Sequence, residues 1–268
     1  MTPASGEELA APAVPLTGAR AVTMRLHLLD PLVLIAASLL LWQAIAVWTQ
    51  GVAVSAPLPT FAYVGDLLLT RTFWDNVGAT AGAFAMAFAL SAAFGLLLGL
   101  LLGLRRFAAD VAEPLLAGFY TIPKVTLYPV VLLVFGLGIS AKVAFGVMHG
   151  LVPVTLFTLA AIKSLSPVLP RAARSLRLSP AQTMRWVLLP ACLPQIVAGL
   201  RLGFALSLLG VLIGEMFSSQ RGLGFLLVSG LAQNNVRLST AVVLVIVVFA
   251  IAANVAMLRL SRRLSRAG

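Results

Sequence analysis

The sequence predicts an all-α polytopic membrane protein of about six transmembrane helices with little outside them. Three observations predict it. Of 268 residues, 60% are hydrophobic and only 10% are charged, against about 25% charged in soluble domains. Mean hydropathy is +1.04. The apolar residues gather into runs long enough to cross a bilayer, which takes roughly 20 residues per helix. No room is left for a soluble catalytic domain.

The elements follow in order. Residues 1–30 read as a cytoplasmic tail, 31–263 as the transmembrane domain and 264–268 as a C-terminal tail. Val54-Ser55-Ala56 resembles a signal-peptide cleavage site, but the run before it is long for a signal core. An uncleaved first helix is therefore expected. Span one runs from about Pro31 to Trp48, whose indole suits the membrane interface. A loop with Pro57 and Pro59 leads to a short amphipathic piece through Asp66 and Trp74. Span two covers about Val77 to Leu104. Its Gly95, Gly99 and Gly103 recur every four residues, which puts small residues on one packing face. Span three reaches from Glu113 to Gly138, span four from Lys142 to Ile162, and span five from Pro190 to Phe217. A polar loop, Ser218–Ser239, precedes span six, Thr240 to Leu258.

Basic residues set the expected orientation. With the N-terminus inside, cytoplasmic segments hold 13 Lys and Arg, and the opposite side holds Arg71, Lys142, Arg221 and Arg237. Basic residues are retained on the cytoplasmic side, so both termini are expected there. The same rule explains the net charge of +11 without nucleic acid as a partner. One cysteine, Cys192, and two separated histidines, His27 and His149, give no disulfide and no metal cluster. No cofactor is expected.

One cytoplasmic segment stands out, Ser166–Pro190, SPVLPRAARSLRLSPAQTMRWVLLP. It carries Arg171, Arg174, Arg177 and Arg185 and no acid. Ser166-Pro167 reads as a helix start. Leu169, Ala172, Ala173 and Leu176 share one face. Ser179 with Gln182 three residues on reads as a capping box. The expected shape is helix, tight turn, helix, closed by Pro190. A basic amphipathic helix can lie on a lipid surface or dock a partner.

This segment resembles the EAA motif of ABC importer permeases: Glu-Ala-Ala, three residues, Gly, nine residues, Ile-x-Leu-Pro. Here it reads Arg171-Ala172-Ala173, three residues, Arg177, nine residues, Val187-Leu188-Leu189-Pro190. Tyr120–Gly138, Gly199-Leu200-Arg201 and Gly214–Leu227 are similar to the nitrate, taurine and aliphatic sulfonate branch. The likeness covers about Leu58 to Arg263. It implies a permease subunit working as a homodimer, with two copies of a cytoplasmic ATP-binding subunit and an extracytoplasmic solute-binding protein. Arg171, Ala172, Ala173, Arg174, Arg177, Ser179 and Pro190 are the implied ATPase-coupling residues. The implied solutes are sulfonate, taurine or nitrate-like anions, or a pyrimidine-type precursor. None of the three lysines follows a glycine, so the chain has no phosphate-cradling loop. ATP hydrolysis belongs to another chain, and this one is not an enzyme.

Arg171 and Arg177 depart from the motif. Arg171 turns an acid into a cation, so acidic partner residues are expected to face it. Gly suits the turn after a helix because it accepts positive φ. Arg177 must either adopt that conformation, at about 1–2 kcal/mol, or the turn has changed shape.

Pro123, Lys124 and Glu215 are candidate pathway residues. Lys124 falls near the bilayer midplane between Pro123 and Pro129, which free backbone carbonyls. It is placed either to attract an anionic solute or to pair with such carbonyls or a neighbouring helix. Glu215 is the only acid after Glu113 and falls at the outer face near Arg221. A local ion pair, a gate and a binding-protein contact are its three readings. The rival class is a stand-alone secondary transporter, which calls for paired acids at depth or a broken-helix ion site.

Overall fold

The computed structural model describes residues 17–266, and side-chain surroundings for residues 32–259 apart from residue 218. The beginning of the expected N-terminal tail and the last two residues lie outside the described residues. Among the described residues the chain is helical without strands, as the composition required. The chain forms two compact units, Met1–Pro57 and Leu58–Gly268.

The first unit holds α1, Thr17–Trp48. It begins well ahead of Pro31, where the span was expected to start. The Trp42 indole donates to the Ser55 carbonyl at 2.9 Å, closing the turn after the helix. Trp48 stands exposed at the helix end.

The second unit is built on α3 (Arg71–Gly103), α6 (Ile139–Lys163) and α9 (Leu189–Ser218). α2, Pro57–Leu68, ends before the Trp74 of the expected amphipathic piece, and Trp74 belongs to α3. Thr70 in extended conformation separates the two helices. Of the described apolar spans, α6 is the most enclosed. It packs against both α3 and α9.

The reason is a ladder of small residues. A Cβ on Gly95 would lie 2.7 Å from Val154 Cβ, one on Gly99 2.6 Å from Thr158 Cβ, and one on Gly103 2.8 Å from Ile162 Cδ1. These pairs advance together, so α3 and α6 run parallel in constant register. The every-four glycine pattern is therefore a packing face. On the other side of α6, a Cβ on Gly203 would lie 3.0 Å from the Gly150 carbonyl, one on Gly210 2.8 Å from the Phe145 carbonyl, and one on Gly214 3.2 Å from Lys142 Cα. There the numbering runs in opposite directions, so α9 is antiparallel. Phe204 of α9 fills the α3 side, edge-on to Phe84 and Phe88 at 4.7 and 5.0 Å. Phe249 of α11, Val236–Arg266, joins the same cluster.

Two expected elements differ. Span three is not one straight helix. It divides into α4 (Arg106–Thr121), a 3₁₀ turn (Lys124–Leu127) and α5 (Tyr128–Phe135), bent by 87°. Ile122 is extended immediately before Pro123, the conformation that proline imposes on its predecessor. The polar loop after span five contains α10, Leu223–Ala232, a short apolar helix. Four single helices among the described residues are long and apolar enough to cross a membrane, and the bent pair makes a fifth. The described apolar part of α1, Leu32–Trp48, is shorter.

Candidate functional site

Two places carry the chemistry, at opposite ends of α6 and α9. The first is the basic segment. α7, Val168–Ser175, is followed by Leu176 and then by Arg177 at φ +54°. The Leu178 amide donates to Ala173 O and the Arg177 amide to Arg174 O, both at 3.0 Å. This pair of bonds is the Schellman turn, whose left-handed position is usually glycine. The turn kept its shape, and Arg177 occupies the strained position. Ser166 Oγ accepts from the Val168 amide at 3.4 Å, so Ser166 acts one residue outside the start expected for it.

The capping box is present. The Ser179 amide donates to Gln182 Oε1 at 2.8 Å, and the Gln182 amide to Ser179 Oγ at 3.2 Å. It opens α8, Pro180–Thr183. Pro190 does not close this helix, contrary to expectation. A π-helical turn, Met184–Leu188, carries the chain directly into α9, with the Leu189 amide bonded to Met184 O. Pro190 has no N–H to give the ordinary ladder. One widened turn ahead of it lets the helix continue. α7 packs against this π turn, so the basic segment is mechanically continuous with the long α9.

On α7, Ala173 is buried while Arg171, Ala172 and Arg174 are exposed, as is Arg177 in the turn that follows. The expected apolar face is only partly covered. Leu169 is half-buried, but Leu176 is 72% exposed because it sits in the turn beyond the part of α7 that packs. At the same end, Lys163 of α6 bonds Asp110 and Glu113 of α4, both at 2.7 Å.

The second place is a buried knot around Glu215. Its side chain has no solvent exposure. Thr80 Oγ1 donates to the carboxylate at 2.8 Å, and the Gly224 amide donates at 3.1 Å. The Lys142 ammonium lies at 3.8 Å and donates to the Arg221 carbonyl at 2.8 Å. Thr80 Oγ1 also accepts from the Leu223 amide at 2.8 Å, and Asn76 Oδ1 from the Gly222 amide at 2.7 Å. Gly222, at φ +126°, lies so close that a Cβ would enter the Glu215 carboxyl group. The knot therefore pins the α9–α10 turn onto α3 and α6.

Of the three readings of Glu215 the structure shows the ion pair, but buried and with a different partner from the neighbouring Arg221. Its ionic partner is Lys142, with Arg221 contributing only a main-chain carbonyl to the knot. Glu215 is enclosed among helices because α10 folds back over the end of α9. Sequence reasoning missed Thr80, Asn76, Gly222 and Gly224, and treated Lys142 as an orientation marker. A cation opening one span and the sole acid of the C-terminal half closing another were the available signal.

Lys124 is also satisfied locally. Its ammonium donates to the Tyr120 carbonyl at 3.2 Å and lies 4.8 Å from the Tyr120 ring centroid. Tyr120 is in the last turn of α4, before Pro123. A carbonyl that the helix break leaves without an amide donor is met by a side-chain cation. Nearby, the Tyr128 hydroxyl donates to the Gly214 carbonyl at 2.9 Å, which ties the broken span to the residue before Glu215.

The described helices form a parallel–antiparallel core joined at one end to an exposed basic helix pair, the architecture of a multi-pass membrane protein. The chain belongs to the family of binding-protein-dependent transport system inner membrane components, whose pattern matches residues 93–267. It is thus an ABC importer permease, a multi-pass membrane protein. It is 29% identical over 226 residues to a probable ABC transporter permease protein of Haemophilus influenzae, covering 84% of this chain and 91% of that one. It is 33% identical to the taurine transport permease TauC of Escherichia coli, over 44% of this chain and 43% of that one. A solved chain of the inward-facing MetNI methionine ABC transporter has the same fold, with TM-score 0.57 and 21% identity over 74% of this chain and 95% of that one.

Proposed function

We propose that this permease passes a small organic anion across the membrane, driven by a cytoplasmic ATPase that docks on residues 166–190. The observation that carries the docking role is the Schellman turn at Arg177. It presents Arg171, Arg174 and Arg177 to solvent on a helix packed against the base of α9. Motion of α7 would reach the bundle through the π turn without a slack loop between them.

The complex would contain two permease copies, two ATPase subunits and a solute-binding protein outside. Both termini and the basic segment would face the cytoplasm, as the distribution of basic residues favours. Partial matches to the taurine permease of Escherichia coli and to aliphatic sulfonate permeases of Bacillus subtilis and Escherichia coli support sulfonate-like solutes. Arg171 and Arg177 would meet acidic residues on the ATPase. Pro123 and Lys124 would shape the pathway at the helix break, and Glu215 would act on it through the pinned α9–α10 turn.

Solute-stimulated ATP hydrolysis by the complex in proteoliposomes tests this reading. R171E and R177E are expected to reduce stimulation by tenfold or more while the permease remains assembled in the membrane. Acid-to-Lys changes at the facing ATPase positions should restore it. Unchanged stimulation in both Arg variants would overturn the docking role.

A further inference from the structure

A cavity of about 780 Å³ opens beside the Glu215 knot. Its size lies within the roughly 300–1,000 Å³ usual for small-molecule sites. Lys142, Ser219, Gln220, Arg221 and Ser229 supply its polar lining, while Phe217 and Phe225 are among its apolar walls. No acid lines it. The nearest acid in the knot, Glu215, is wholly enclosed and engaged by Thr80 and Gly224. Cations therefore face this space without an exposed counter-charge among its lining residues.

The two cations are held differently. An ammonium has three donors. That of Lys142 gives one to the Arg221 carbonyl at 2.8 Å and approaches Glu215 at 3.8 Å, which leaves a third for a ligand. The Arg221 main chain is fixed from both sides: its amide donates to Ser219 Oγ, and its carbonyl accepts from Ser219 Oγ and Lys142. Its residue is exposed, so its guanidinium adds charge at the cavity without being buried in the knot.

We propose that this cavity binds a small organic anion with an apolar body. The anionic head would lie against Lys142 and Arg221, and the body against Phe217 and Phe225. Glu215 positions the site by holding Lys142 and folding the α9–α10 turn around it. The proposal deepens the functional reading above and rests on its anionic solute class. It adds a place on the permease itself where solute chemistry is read.

The test uses the full chain in lipid nanodiscs with 1-pentanesulfonate as probe and pentylammonium as the matched cation, both followed by calorimetry. Wild type is expected to bind the sulfonate and not the ammonium. R221Q should weaken sulfonate binding about tenfold, the scale of one charge-assisted hydrogen bond. R221E should abolish it. These changes keep the Arg221 main-chain bonds, so they spare the knot. F225A should weaken pentanesulfonate more than methanesulfonate, a split that loss of charge alone does not give. No sulfonate binding by wild type, equal binding of both probes, or unchanged affinity in R221Q and R221E overturns the cavity assignment. Taurine and pentanesulfonate uptake by the assembled wild-type transporter reports separately: absence of both overturns the solute class, whereas uptake without cavity binding overturns the cavity alone.

Discussion

Removing the Glu215 carboxylate should destabilise the bundle more than any single surface change. Glu215→Ala takes an acceptor from Thr80 and from the Gly224 amide, and leaves Lys142, only 6% exposed, facing no carboxylate. Breaking a buried ion pair from one side costs about 3–5 kcal/mol. Lys142 keeps the Arg221 carbonyl at 2.8 Å and sits in the first turn of α6, so the lower figure, about 3 kcal/mol, is expected. Lys142→Met should cost less, about 1–2 kcal/mol, because Glu215 retains two close donors. The double variant should lose at least about 1 kcal/mol less than the sum. At about 2–4 °C per kcal/mol, E215A lowers the melting midpoint by roughly 6–12 °C. The single cysteine, Cys192, is buried, so a thiol-reactive dye reads unfolding of the detergent-solubilised chain directly. An E215A midpoint within about 1 °C of wild type, or strict additivity in the cycle, would refute the reasoning.

Three further outcomes follow from local geometry. Arg177→Gly should relieve about 1 kcal/mol of left-handed strain and slow amide exchange at Leu178, whereas Arg177→Val should speed it. Gly99→Ala places a methyl 2.6 Å from Thr158 Cβ and 2.8 Å from the Thr155 carbonyl. Overpacking of this kind costs about 1–3 kcal/mol; Thr158→Gly in the same chain should recover part of the lost melting midpoint. Ser179→Ala removes the cap on α8 at about 1 kcal/mol, and faster exchange of the Gln182 amide is the expected readout.

Apart from the exposed Ala172 and Leu176 of its expected apolar face, the turns of the basic segment were legible. Capping and Schellman turns are local, and Ser179–Gln182 and Arg177 lie within a few residues of every group they bond. The end of that segment was not. Pro190 reads locally as a stop, and only the packing of α7 on the widened turn shows a helix that runs through it. Lys124 was legible as one of two alternatives. Pro123 announced the break, but the 87° bend and the Tyr120 carbonyl as partner needed coordinates. Glu215 was legible as unusual and not as what it does. Its partners are 135 residues away at Thr80 and on another span at Lys142, and no local pattern encodes such a meeting.

Composition and the apolar runs of roughly 20 residues determined the membrane solvent and the all-α class, because a backbone in hydrocarbon must satisfy its own hydrogen bonds and a continuous apolar run does so as a helix. The every-four spacing of Gly95, Gly99 and Gly103 determined that a helix would approach there closely. Tertiary structure decided which helix it was, and in which direction it ran. It also decided that the lone acid of the C-terminal half would be enclosed, because the Gly222–Gly224 turn folds back over it. A buried carboxylate needs donors from whatever surrounds it, and here those donors come from three segments brought together only by the bundle.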